Sequence, residues 1–510
     1  MTDKKALLAL QNGSDIRGIA ITTEKHEANL TADKVTHIGY GFGQWLSQTK
    51  GIEIEAGKKV KVAIGHDSRL SAAEIKAALI KGLAPYPVEI IDVGLATTPA
   101  MFMSTQYEDY LTDAAVMITA SHLPFEYNGL KFFTKTGGAE HEDIEALLTF
   151  AGEMPESFTD SEVQAVVTEK DLLTVYATDL QDKIRKGIAS TANAEKPLTG
   201  RHIIVDAGNG AGGFFVEKVL QPLGANTEGS QFLDPDGTFP NHVPNPDNKA
   251  AMQSIQDAVI AQKADLGIIF DTDVDRSAIV DKDGKAFNRN NLIALIAAVL
   301  LADNPGATIV TNSATSSHLE TFITGLGGVQ DRYLTGYRNV INRGIDLNNQ
   351  GINAVLAIET SGHAALKENY FLDDGAYLIA KLLIADAKLS SEGKHLGDLI
   401  ADLGQPAETT EYRFTIVQEP IFETGNQIIK EFADFVKATE GFGLVPDHLE
   451  GVRVNLGGKY GEGWFILRLS LHEPLLVWTI ESDETGKLPI IADAVLPFFK
   501  ARTELDTTNM

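Results

Sequence analysis

The sequence predicts three related α/β domains with mixed, mostly parallel sheets, followed by a smaller C-terminal α+β domain. Three observations lead there. Short β-branched runs alternate with longer helical patterns over most of the chain, and this rhythm recurs three times, ending each time in a polar stretch. Beyond residue 406, strand-like runs follow one another without intervening helices. At 510 residues the chain is also too long for one core.

Taken in order, the strands are "KVKVAIG" from Lys59, "VEIIDVG" from Val88, "HIIVDAG" from His202, "LGIIFD" from Leu266, "ATIVT" from Ala307 and "INAVLAI" from Ile352. Between them, stretches such as "AAEIKAALIKGL" and "NLIALIAAVLLA" have helical spacing or continuous apolar character. Apolar strands separated by helices are covered on both faces, as in parallel sheets. The cycles end at "ESFTDSEVQ", "DKDGKAFN" and "LGQPAETTE", which gives domains at 1–163, 164–288, 289–405 and 406–510. In the last, "VRVNL", "GWFILRLS" and "LLVWTIES" read as antiparallel strands flanked by helices at "FETGNQIIKEFADFVKA" and "PIIADAVLPFFKA".

Net charge is 43 − 70 = −27. Nucleic acid and anionic membranes need clustered Lys and Arg, so neither is an expected partner. A phosphorylated metabolite can still bind such a chain where a few cations are concentrated in one cleft. Cysteine is absent, which excludes a thiolate nucleophile and Cys-ligated zinc and fits a reducing compartment. The N-terminus lacks a signal pattern, and the longest apolar stretch, Leu292 to Ala302, is shorter than the ~20 residues that span a bilayer. The expected setting is cytoplasmic.

Five stretches could carry chemistry. In "FDTDVDRSAIVD", Asp271, Asp273 and Asp275 alternate between two apolar runs, a hard-oxygen set suited to Mg²⁺ or Ca²⁺. An EF-hand would need Gly and Glu where Arg276 and Lys282 stand. In "IIVDAGNGAGG", Gly208, Gly210 and Gly213 satisfy a dinucleotide fingerprint, but the acidic candidates Glu228 and Asp234 do not clearly end a second strand. In "AIETSGHAALKENYFLDDGA", Glu359 and Ser361 suit vicinal sugar hydroxyls, with His363 beside them. In "RLSLHEP", Arg468, Ser470 and His472 alternate, as a phosphate dianion would need. In "TASHLPFEYNGLKFF", Ser121 and His122 precede an Asn-Gly turn and Lys131. An ST-turn at a helix start would explain that serine by itself. No G-x-S-x-G elbow surrounds it, so a Ser-His-Asp hydrolase is not supported.

Together and in this order, these stretches resemble the α-D-phosphohexomutase superfamily, from "NGSDIRG" at Asn12 to "RLSLHEP" at Arg468. The resemblance implies four domains, the fourth mobile, and a mutase acting on mannose or glucose 1- and 6-phosphates. It implies a catalytic set of Ser121, the phosphoryl carrier, with His122, Arg17, Lys131 and His363. Asp271, Asp273 and Asp275 would hold one Mg²⁺, with phosphorylated Ser121 supplying a further oxygen. Arg276 would neutralise phosphate; Glu359 and Ser361 would read sugar hydroxyls. Tyr337 and Arg338 in "TGYRN" would contact substrate, and Arg468, Ser470 and His472 would face its non-reacting phosphate. "GHDSR", from Gly65, resembles a segment near the catalytic loop and is taken as structural. Hexose 1,6-bisphosphate is the implied activator and sugar phosphates the implied partners; oligomeric state is left open.

The sequence departs from the family pattern at Leu123, Thr272, Val274 and Ile358, and most consequentially at Leu471 and His472. There an imidazole replaces a hydroxyl donor in the phosphate loop. The alternatives are a phosphoglucosamine mutase and a non-catalytic sugar-phosphate-binding homologue.

Overall fold

The computed structural model describes residues 4–52, 59–155, 166–189, 193–446, 448–470 and 473–508. The expected domain boundary at 163 and the phosphate-loop residue His472 lie outside them. The chain forms two compact units, 1–292 with 361–397, and 293–360 with 398–510.

In the first unit, one sheet runs in the order Gln11–Asn12, Asp15–Ile19, Tyr127–Thr134, Ala114–Ile118, Val60–His66, Val88–Leu95, Val166–Glu169. From Ala114–Ile118 onward its strands are parallel; on the other side they are antiparallel. The strand "AAVMI" is buried throughout, as a continuous apolar run between two covered faces must be. Helices Ala32–Gln48, Ala72–Leu83 and His141–Ala151 cover one face with Ile38, Phe42, Trp45, Leu79 and Leu147. Side chains alternate along a strand, so Leu130 and Phe132 join that core while Lys131 points to the other face.

The second sheet of this unit orders Ala286–Phe287, Ser277–Asp281, Leu266–Phe270 and Ile203–Asp206. Leu266–Phe270 runs parallel to Ile203–Asp206 and antiparallel to Ser277–Asp281. Phe270 pairs with Ser277, so residues 271–276 are the connection of a hairpin. The acidic stretch is therefore a tight turn held at both ends by buried strands. The glycine-rich turn after Ile203–Asp206 packs against it: a Cβ on Gly210 would lie 2.6 Å from the Thr272 carbonyl oxygen, and Ala211 N–H donates to that oxygen at 2.8 Å. Close backbone approach accounts for this glycine without a dinucleotide.

The second unit carries parallel strands Val329–Tyr333, Thr308–Asn312 and Ala354–Ile358. It also carries an antiparallel six-stranded sheet, with Val452–Leu456, Gly463–Leu469, Leu475–Ser482 and Glu408–Ile416 adjacent in that order. Helices Ile421–Ala438 and Leu488–Lys500 supply Phe432, Val495 and Phe499 to its core. Phe414 and Phe499 stack there with centroids 4.1 Å apart. Among the described residues no helix is long and apolar enough to cross a membrane.

Candidate active site

The hairpin brings Asp271, Asp273 and Asp275 together, each fully buried and each able to offer an oxygen within 4.8 Å of the others. Such a set repels itself unless cations intervene. Lys131 Nζ donates to Asp273 Oδ2 at 3.0 Å and to Asp275 Oδ2 at 2.5 Å. Arg276 faces Asp271 with Nε at 3.2 Å and Nη2 at 3.0 Å from Oδ2. Burial and the charge on Asp275 push the Asp271 carboxyl well above the usual carboxylate range. Burial also works against Asp275, but Lys131, His363 and Arg276 hold its carboxyl well below that range.

These residues fit a divalent cation. Asp273 Oδ1 and Asp275 Oδ1 are buried oxygens with no hydrogen-bond partner among the described residues. The donor set is all carboxylate, the preference of Mg²⁺ and Ca²⁺. The sequence did not single out Thr98, whose hydroxyl also donates to Asp273 Oδ2 and whose N–H donates to the Asp273 carbonyl at 2.9 Å.

Ser121 sits beside this hairpin, buried, in the left-handed conformation with φ +53°. Its Oγ donates to Asp271 Oδ2 at 3.2 Å and accepts from Arg276 Nη2 at 2.8 Å. The same Nη2 lies 2.7 Å from His122 Nδ1. A guanidinium only donates, so that nitrogen is the acceptor and carries no proton. Burial, reinforced by Arg276 and Arg17, pushes the His122 imidazole down to about 2. His122 is neutral in this arrangement.

Arg17, on strand Asp15–Ile19, pairs with Asp15 at 2.8 Å. His363 Nδ1 lies 2.5 Å from Asp373 Oδ2, and its backbone pairs with Arg276 in an isolated bridge. Burial disfavours the imidazolium, but Asp373 and Asp275 raise its pKa above the ordinary value. Ser361 Oγ, also in this unit, is buried with no hydrogen-bond partner among the described residues. The first unit therefore gathers Ser121, His122, Lys131, His363, Arg276 and the aspartates.

The other expected residues belong to the second unit. Glu359, buried at the end of strand Ala354–Ile358, accepts from Gly336 N–H at 2.7 Å, which ties it to the "TGYRN" loop. Tyr337 and Arg338 open helix Tyr337–Asn349, and Arg338 donates to Asn342 Oδ1 at 3.2 Å. Arg468, near the end of strand Gly463–Leu469, reaches the Leu469 carbonyl at 3.4 Å. Ser470 Oγ accepts from Glu473 N–H at 3.3 Å.

A serine hydroxyl between a guanidinium and a carboxylate set for a divalent cation, on an α/β scaffold, suits phosphoryl transfer. The chain matches the three phosphoglucomutase/phosphomannomutase alpha/beta/alpha domains: domain I over residues 9–151, domain II over 176–284 and domain III over 288–406. It is 30% identical to the phosphoglucomutase of Neisseria gonorrhoeae over 473 residues, 92% of each chain. It is 29% identical to the phosphomannomutase/phosphoglucomutase of Pseudomonas aeruginosa over 475 residues, 93% of this chain and 92% of that one. A solved phosphoglucomutase/phosphomannomutase family protein from Burkholderia thailandensis superposes with a TM-score of 0.75 at 26% identity over 98% of both chains. The chain belongs to the phosphoglucomutase/phosphomannomutase family. It is a phosphohexose mutase, an intramolecular phosphotransferase.

Proposed function

We propose that this mutase interconverts the 1- and 6-phosphates of mannose or glucose through a phosphoserine at Ser121 and a bisphosphorylated intermediate. The observation that carries the reading is Ser121 Oγ, held between Arg276 and Asp271 at the edge of the buried aspartate hairpin. Phosphoryl transfer needs positioning and charge stabilisation more than covalent assistance. Asp271, Asp273 and Asp275 would hold one Mg²⁺ with an oxygen of phosphorylated Ser121. Bound there, the ion would neutralise phosphoryl oxygens.

In this reading Arg276 and Lys131 absorb the charge that develops on the phosphoryl group, and Arg17 adds a third cation. The P–Oγ bond of phosphoserine breaks as a sugar hydroxyl attacks; the hydroxyl gives up its proton and Ser121 Oγ takes one up to leave as the serine hydroxyl. His122 and His363 are the nearby imidazoles; the neutral His122 can accept a proton once phosphate charge beside it raises its basicity. The bisphosphate then returns its other phosphoryl to Ser121, so hexose 1,6-bisphosphate primes the dephosphorylated enzyme. Glu359 and Ser361 read sugar hydroxyls. Tyr337, Arg338, Arg468, Ser470 and His472 contact the rest of the substrate, the last three at its non-reacting phosphate. Domains at 1–163, 164–288, 289–405 and a mobile 406–510 belong to the same proposal. So does a cytoplasmic setting, because sugar phosphates are charged and do not cross bilayers unaided.

³¹P NMR with Mg²⁺, a trace of glucose 1,6-bisphosphate and equal mannose, glucose and glucosamine 1-phosphates tests this. Mannose or glucose 1-phosphate should convert first. Conversion of glucosamine 1-phosphate ahead of both would overturn the sugar assignment, and no conversion by folded protein would overturn the mechanism.

A further inference from the structure

We propose that Arg69, locked by Asp67, is a positioning residue that sets the backbone of the catalytic loop and thereby the reach of Ser121 Oγ. The inference rests on the reading of Ser121 as the phosphoryl carrier. Arg69 is 2% exposed, Asp67 fully buried, and both come from "GHDSR", just beyond strand Val60–His66. The Arg69 side chain is fully buried, its guanidinium turned to backbone carbonyls and to Asp67. Its Nη2 donates to the carbonyls of Ser121 at 2.5 Å and Leu123 at 2.6 Å. Its Nη1 donates to those of Pro124 and Tyr127, both at 2.8 Å. Nε sits 3.3 Å from Asp67 Oδ2.

The same carboxylate holds the other side of Ser121. Thr119 Oγ1 donates to Asp67 Oδ2 at 2.7 Å and accepts the Ser121 N–H at 2.9 Å. Both backbone polar groups of Ser121 are thus fixed by one ion pair, directly at its carbonyl and through Thr119 at its N–H. This matters because the φ of +53° at Ser121 is unfavourable for a residue with a Cβ and persists only where its surroundings impose it. A rotation back to ordinary backbone would carry Oγ away from Asp271 and Arg276.

The second sheet's own loop seals the arrangement. The Phe239 ring lies 5.2 Å from the Arg69 guanidinium carbon. Gly237 presses on the same segment, where an added Cβ would be 2.5 Å from the Ser68 carbonyl oxygen and 2.8 Å from Arg69 Cα. With both side chains fully buried, the guanidinium is held by these four carbonyls and by Asp67. Lysine cannot replace it, since a single ammonium cannot span four diverging acceptors.

The test is single-turnover phosphorylation of Ser121 by glucose 1,6-bisphosphate, read by mass spectrometry, in wild type, Arg69→Lys and Thr119→Val. Rates are taken per folded molecule as judged by near-UV circular dichroism. The phosphorylation rate should fall about 100-fold in Arg69→Lys, since a misplacement of about 1 Å costs that much. KM for the sugar phosphate should stay within about threefold, because ground-state binding is untouched. Thr119→Val, which keeps the shape and removes the hydroxyl bridge, should lose rate in the same step, and it decides the matter if Arg69→Lys does not fold. Wild-type phosphorylation rates in a folded variant, or a rise in KM alone, would overturn the proposal. If wild-type protein takes no phosphoryl at Ser121, the carrier reading falls and this inference with it; if wild type is phosphorylated and Arg69→Lys is equally fast, only this inference falls.

Discussion

Two residues at the site, Ser121 at φ +53° and Val274 at φ +66°, hold backbone conformations that cost about 1–2 kcal/mol each for residues with a Cβ. Both are buried and both are pinned. Ser121 is fixed through its N–H and carbonyl, and Val274 gives its carbonyl to Gly375 N–H at 3.1 Å. Strain of this kind is sustained where geometry serves chemistry. Ser121→Ala should therefore lower turnover by at least about 10³-fold, as loss of a nucleophile does, while circular dichroism stays that of wild type. Residual mutase activity near wild type in a coupled assay would remove Ser121 from the mechanism. Asp273→Asn keeps the acceptor for Thr98 and deletes a charge from the hairpin. Mg²⁺ affinity by calorimetry should fall about 100-fold or more, the scale seen when a metal site loses support. Unchanged affinity would place the ion elsewhere.

The aspartate hairpin was legible in the sequence because apolar runs bound it on both sides, which forces three carboxylates into a buried turn. Lys131 was legible as a lone cation on an apolar strand. The Arg69 clamp was not, because its four partners are backbone carbonyls, which carry no residue signature. The glycine-rich turn gave a cofactor signal that the structure explains by packing on Thr272. Pairing of His363 with Asp373 depends on the strands Ala364–Leu366 and Leu372–Asp373 running antiparallel, which spacing does not reveal. In the second unit, Arg453 lies buried over the Trp464 ring at 3.8 Å and donates to the Ser313 and Thr315 carbonyls. Burial, with Arg453 and Arg332 nearby, pushes the His448 imidazole down to about 4. Its folded pKa lies below the unfolded value, so between about pH 6.5 and 4 the unfolded chain binds more protons. Stability from this group is present above that window and lost as pH falls through it. Scanning calorimetry should show Tm falling across the window, with a shallower slope in His448→Gln; equal slopes would mean that His448 stays as easily protonated folded as unfolded.

For the whole molecule, a net charge of −27 sets the electrostatic background against which a few cations act. Like charges repel more in the compact state, and salt screens them. Raising NaCl from about 10 to about 150 mM shortens the screening length from about 30 to about 8 Å and should raise Tm. A flat or falling Tm would show that the acidic groups are already neutralised in pairs. The proposed division of labour follows the two units: the residues proposed for phosphoryl transfer lie in the first, and those proposed for sugar and distal phosphate lie mostly in the second. Residue type and spacing suggested sugar and phosphate contacts for the latter, and family resemblance singled out those roles, because isolated polar strand ends are common in any loop. The proposed transfer from Ser121 is the step on which the rest of the mechanism depends. The direct measurement is to load the enzyme with labelled phosphate at Ser121, remove excess donor, and mix it once with glucose 1-phosphate or mannose 1-phosphate in Mg²⁺. The expected result is that label leaves Ser121 as fast as steady-state turnover and appears in hexose bisphosphate and hexose 6-phosphate. Label that stays on the protein, or leaves only as inorganic phosphate while the sugar is still isomerised, would contradict a phosphoserine mechanism.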